Sequence, residues 1–96
     1  MEVIELSKVL DLVAAPTLLE IFMQHKEQDV MVNAQQVQRL GAQCFQILLS
    51  AKTAWVADGY GFILANPSPA FTEAVELMGG NINDLTYLKK DGHKED

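Results

Sequence analysis

The sequence predicts an α/β domain: a small, open, mostly parallel sheet made of βαβ units with helices packed on it. Three observations predict this. Short apolar segments alternate with longer stretches whose apolar residues recur at helical spacing. Helix punctuation, with proline near a first turn and glycine after a last one, brackets those longer stretches at Pro16, Gly59, Pro69 and Gly79-Gly80. Strands joined through helices require parallel pairing with crossover connections, which an antiparallel meander would not need.

The elements follow in order. Residues 2–6 alternate polar and apolar and predict a first strand with one wetter face, a candidate antiparallel edge. Residues 9–12 predict a short extended piece. Residues 14–26 predict a helix with Pro16 in its first turn, Leu18, Leu19 and Phe22 on one side, and Thr17, Glu20, Gln24 and Glu27 on the other. Residues 29–34, centred on Val30-Met31-Val32, show little alternation and predict a strand covered on both faces. Residues 35–40 predict a loop, and residues 41–57 a second helix that Asp58-Gly59 stops. Residues 62–65 predict another buried strand. Ser68 is the expected N-cap of a third helix with Pro69 as its first residue, ended by Gly79-Gly80. Residues 81–88 fit either a strand or a helical turn. The domain is expected over residues 1–88, with residues 89–96 a polar tail.

Composition narrows the function. The chain has 96 residues, enough for one core and no second domain. Hydrophobic residues are 49% and charged residues 21%, as in a globular protein rather than a disordered one. No apolar run approaches the length of a membrane span, and no basic signal-peptide n-region opens the chain, so direct membrane insertion is not expected. The single cysteine, Cys44, has no partner for an internal disulfide, which favours a cytoplasmic location. Net charge is −6, and the few lysines and the one arginine are scattered. That argues against a nucleic-acid or anionic-lipid surface.

Recognisable catalytic chemistry is missing. His25 lies near a helix end and His93 in the tail, neither at metal-ligand spacing from Cys or carboxylate. Cys44 sits among core-type residues and reads as a small buried hydrophobe. Gly59-Tyr60-Gly61 joins helix to strand, the wrong order for a phosphate cradle, and Gly79-Gly80 has no lysine behind it. The carboxylates are dispersed. The expectation is a protein that is not an enzyme and uses no cofactor and no metal.

The second helix carries the informative pattern. Gln43, Gln46, Ser50, Thr53 and Ala57 follow one another at helical spacing and form one narrow stripe without charge. Almost everything else on the helix is apolar. Lys52 lies on that apolar side, where its ammonium is expected to reach past the edge to water. Two readings fit: a central helix that grazes solvent, or a neutral strip flanked by Leu49 and Val56 that faces a partner, since interface centres are depleted in charge.

The segment Leu10-Asp11-Leu12-Val13-Ala14-Ala15-Pro16-Thr17-Leu18 resembles the opening of the first helix of STAS domains, the sulfate transporter and anti-sigma factor antagonist family. Val30 to Ala34, then Val37, Leu40-Gly41 and an apolar helix, are similar to its central strand, loop and helix. Phe62 to Phe71 and Leu77-Met78-Gly79 are similar to its closing strand and helix. The resemblance covers roughly residues 2–88 and rests on order and spacing rather than on one motif. It implies a small module that binds proteins. In soluble bacterial members a serine or threonine at the start of the central helix is phosphorylated and switches partner binding. Here the matching run is Gly41-Ala42-Gln43-Cys44-Phe45, so Gln43 stands where that hydroxyl would be. Gln43 hydrogen-bonds but cannot carry the charge of a phosphate.

By this resemblance the chain is expected to be an adaptor in bacterial signal transduction without the usual switch. Its expected partner is a histidine kinase or anti-sigma-type kinase fold, in a chemotaxis, two-component or anti-sigma pathway. The expected partner-binding residues are Gln36, Arg39, Gly41, Ala42, Gln43, Phe45, Gln46 and Ser50, with Arg39, the only arginine, first choice for an ion pair. The alternative is an accessory STAS subunit of a membrane lipid-transport ATPase complex using the same face. A small-molecule or lipid binder, or an enzyme, would need a pocket with convergent polar groups, and the sequence offers no such cluster. A homodimer remains open.

Overall fold

The computed structural model describes residues 1–88. In order it has β1 (Glu2–Glu5), β2 (Val9–Leu10), α1 (Ala15–Gln24), β3 (Val30–Asn33), β4 (Arg39–Leu40), α2 (Ala42–Asp58), β5 (Phe62–Ala65), α3 (Pro69–Leu77) and a closing 3-10 turn at Ile82–Leu85. The class is α/β, with three helices and an open, mostly parallel sheet. Strands order as β1-β3-β5, and β2 and β4 form a separate parallel pair. The predicted tail, residues 89–96, lies outside the described residues.

One face of the sheet makes the core. Glu2, Val30 and Phe62 are in register, as are Ile4, Val32 and Leu64. Below these rows α1 supplies Leu18 and Phe22, and α2 supplies Leu48, Ala51 and Trp55, all buried. Phe22, Trp55 and Phe62 meet with ring centroids 5.7–6.0 Å apart, two of the pairs edge to face. The Trp55 indole N–H donates to the Gln28 carbonyl at 2.8 Å, which satisfies its one polar atom. Burying each such side chain stabilises the fold by roughly 1.5–3 kcal/mol before entropy is counted.

The local chemistry explains where helices start and stop. Ser68 is the N-cap of α3: its Oγ accepts from the Phe71 amide at 3.0 Å and donates to the Val37 carbonyl at 2.6 Å. Pro69 follows as expected. The Asp11 carboxylate accepts from the Ala14 amide at 3.1 Å, just ahead of α1. Gly59, at φ 82°, closes α2 in the left-handed region that an L side chain resists, and its amide bonds back to Trp55 and Val56.

Four sequence expectations change. β1 lies at the sheet edge but pairs parallel with β3, not antiparallel. Residues 35–40 are not all loop: Arg39–Leu40 pairs with Val9–Leu10. β3 is not covered equally on both faces, because Val30 and Val32 are fully buried while Met31 and Asn33 are only half-buried. Leu19, expected beside Leu18 in the core, is 50% exposed. Residues 81–88 resolve into the 3-10 turn and a single antiparallel bridge from Tyr87 to Phe62, which covers the outer edge of β5.

Candidate partner-binding site

All five strands run in parallel directions within their sheets, so α1, α2 and α3 begin after the carboxyl ends of strands. In open α/β sheets ligands meet that end. The loops there are cross-tied. The Ala34 carbonyl accepts from the amides of both Val37 and Ser68, and the Gly41 amide donates to the Leu10 carbonyl at 2.8 Å. The start of α2 is thereby fixed against the turn after β2. The Cys44 thiol donates to the Asp11 carbonyl at 3.3 Å across the same junction.

The start of α2, like that of α1, lacks a side-chain cap. Its N-cap is Gly41 in extended conformation, with no side-chain cap and no acidic residue in the first turn. Ala42, Gln43, Gln46 and Ser50 are exposed, and Gly41 is half-buried beside them. Arg39, also exposed, leads into this turn. Among the described residues its guanidinium has no ion-pair partner. Of these, Gln43, Gln46 and Ser50 line one surface of α2.

Two of the expected site residues are placed otherwise. Phe45 is 4% exposed and belongs to the core, so it does not face a partner. The geometry of the first turn explains this: Gln43 and Gln46 are exposed, and the two residues between them, Cys44 and Phe45, turn inward and are buried. Gln36 is exposed, but its side-chain amide donates to the Leu6 carbonyl at 2.9 Å and ties the loop to the end of β1. It acts as a strut rather than a free contact.

The rest of the stripe divides. Thr53 bonds its own helix through the Leu49 carbonyl at 3.0 Å. Gln43, Gln46 and Ser50 instead form one rim of a trough of about 420 Å3 between α1 and α2, which continues to Ala54. The facing wall is α1, with Leu19 and Met23, which are 50% and 62% exposed. Sequence reasoning missed these two as site residues. The signal was present: Leu19 and Met23 lie one turn apart beside the core stripe Ala15, Leu18 and Phe22, making the apolar arc of α1 wider than burial alone needs. Leu12 and Val13, in the turn before α1, are 68% and 84% exposed.

Titratable groups add little. Cys44 is fully buried, and burial, with a smaller contribution from the Asp11 charge, pushes its thiol above the usual range. A thiol so placed is a poor nucleophile. His25 caps the end of α1, its Nδ1–H donating to the Ile21 carbonyl at 2.8 Å, with Glu2 at 3.9 Å from Nε2. Among the described residues no group of three His, Cys, Asp or Glu side chains is arranged to hold a metal ion. Among them, too, no helix is long and apolar enough to cross a membrane. What the surface can do chemically is bury apolar and neutral hydrogen-bonding groups against a complementary surface. No protein-family model, curated protein or solved structure matches the chain.

Proposed function

We propose that the chain is a non-enzymatic protein-binding module of bacterial signal transduction that docks a histidine kinase or related kinase fold through the start of α2. One observation carries this reading. In a chain of net charge −6, the exposed positions Ala42, Gln43, Gln46 and Ser50 hold no charge, and the one arginine, Arg39, precedes them in the chain. Such neutral, hydrogen-bonding ground suits the centre of an interface, with Arg39 at the rim. The STAS resemblance of residues 10–18, 30–41 and 62–79 supports the same surface, and Gln43 at the usual phosphoacceptor position makes the docking constitutive. In this reading the partner's binding is not switched on this chain by phosphate.

The test is titration of the full chain against the chemotaxis histidine kinase of its source cell, with Gln43→Arg as the variant. Gln43 is exposed, so the substitution should leave the thermal melt unchanged and weaken binding by about 2 kcal/mol or more, as at a central interface position. Full affinity for the variant would remove the proposed surface. Stable co-purification with a membrane transport ATPase in place of the kinase would assign the alternative partner class. An intact mass heavier by one phosphate would show that another hydroxyl carries a switch.

A further inference from the structure

We propose that the trough between α1 and α2 receives an amphipathic helix of the partner, apolar along one side and carrying a carboxylate where it passes Lys26. The inference rests on the docking reading above and specifies what is docked. Two helices lying side by side expose two ridges. On α1 the ridge is Leu19, Met23 and, just past the helix end, Lys26; on α2 it is Gln43, Gln46, Ser50 and Ala54. A third helix seats between two such ridges in the way helices pack in a bundle. From Gln43 to Ala54 the rise of a helix gives about 16 Å, or three turns of an incoming helix.

The chemistry of the two walls fits an amphipathic occupant. The floor holds Phe22 and Trp55, and the α1 wall keeps two large apolar side chains in water. Met23 can adapt its shape to the residues it meets. The α2 rim offers amide and hydroxyl groups to the polar flank of a helix. Lys26 is the one charged residue of the trough, at one end, in a chain that is otherwise strongly acidic. A carboxylate on the partner is therefore attracted at that end alone, which fixes the direction in which the helix lies. A small ligand is held less well, since binding pockets enclose most of a ligand's surface and this trough is open along its length.

The test uses the full chain and a stapled 14-residue helical peptide (about four turns) with leucines at helical spacing on one face, glutamate at one end and a neutral polar back. A sister peptide carries lysine in place of the glutamate. Trp55, the only tryptophan, lies in the floor of the trough and reports binding by fluorescence. The glutamate peptide should bind at least about tenfold more tightly than its sister, and Lys26→Glu should reverse that order. Ala54 is exposed, so Ala54→Arg should keep the thermal melt and fill the trough, with a loss of at least about tenfold. Equal binding of both peptides, or full binding to Ala54→Arg, overturns the proposal. So does palmitate that shifts Trp55 emission where the peptide does not, or a dimer in sedimentation equilibrium that Ala54→Arg dissolves. The two readings separate on the kinase. If Gln43→Arg blocks the kinase while Ala54→Arg and Lys26→Glu bind it fully, docking stands and the helix falls. If the peptide binds as expected and the kinase does not, the trough stands and the assigned kinase falls.

Discussion

The helices α2 and α3 start at the same end of the molecule and are built differently. α3 is fastened: Ser68 caps its first turn and also reaches the Val37 carbonyl, so one hydroxyl holds helix and loop together. α2, the longer and more buried helix, starts on Gly41 with no cap at all. A helix seventeen residues long, packed on the sheet, keeps its place through its buried side and does not need a cap. A nine-residue helix with only Phe71 and Val75 buried relies more on its ends. The difference teaches that the start of α2 is spared structural duty on its outer side, which leaves Ala42, Gln43 and Gln46 available for contact.

The comparison breaks first at Phe45, which sits one turn into α2 on the inward side. Phe45→Ala should cost about 3–5 kcal/mol, read as a fall in the denaturation midpoint. A cost below about 1 kcal/mol would mean that the inner side of this turn does not anchor the helix. Gly80 is next, where the chain after α3 passes under the same ring. A methyl group added there would lie 2.6 Å from Phe45 Cζ and 3.1 Å from Val75 Cγ1, so Gly80→Ala should cost about 1–3 kcal/mol by overpacking. Ser68→Ala should cost about 1 kcal/mol through loss of the cap. A neutral result in urea titration would show that α3 is held by packing alone.

The smallest effect is the sharpest for the comparison. At Gly41 the backbone is extended and an added Cβ finds its nearest neighbour, the Leu10 carbonyl oxygen, at 3.5 Å, an ordinary contact. Gly41→Ser should therefore supply the missing cap and stabilise the fold by a few tenths of a kcal/mol. If the same variant also weakens binding of the proposed partner, the bare start of α2 serves binding. The thiol beneath it offers a pH check. Because the Cys44 pKa is raised in the folded state, its contribution to stability is full below the unfolded value and declines as pH rises through the folded one. Cys44→Ala should flatten that alkaline decline, seen by comparing midpoints across the alkaline range.

Much of this was legible in the residues. β5 and the Ser68-Pro69 start were read to the residue, because apolar runs and helix caps are local signals. The outward stripe of α2 was legible from period alone. Phe45 was misplaced because the resemblance to STAS domains marks a run of consecutive residues, whereas a helix turns successive side chains about 100° apart and buries some of them. Leu19 and Met23 were missed because an apolar side chain on an amphipathic helix is ordinarily inside. Only the spacing of α1 from α2 left them at a rim. The β2–β4 pair was invisible because a two-residue strand has no period, and its partner lies far along the chain.

The sheet has no hairpin among its three strands. Glu2 pairs with Val30 and Val30 with Phe62, so each pairing joins residues about thirty positions apart, and non-local pairing of this kind slows folding. β3 is the shared neighbour of both outer strands, and neither can join the three-stranded sheet without it. During synthesis the first half of the chain exposes apolar β1 and β3 residues before β5 and the aromatic cluster of Trp55 and Phe62 exist to cover them. Glu2 and Glu5 at the two ends of the edge strand place charge where another chain would otherwise add on. The acidity that marks the mature surface is thus also a safeguard for the nascent one.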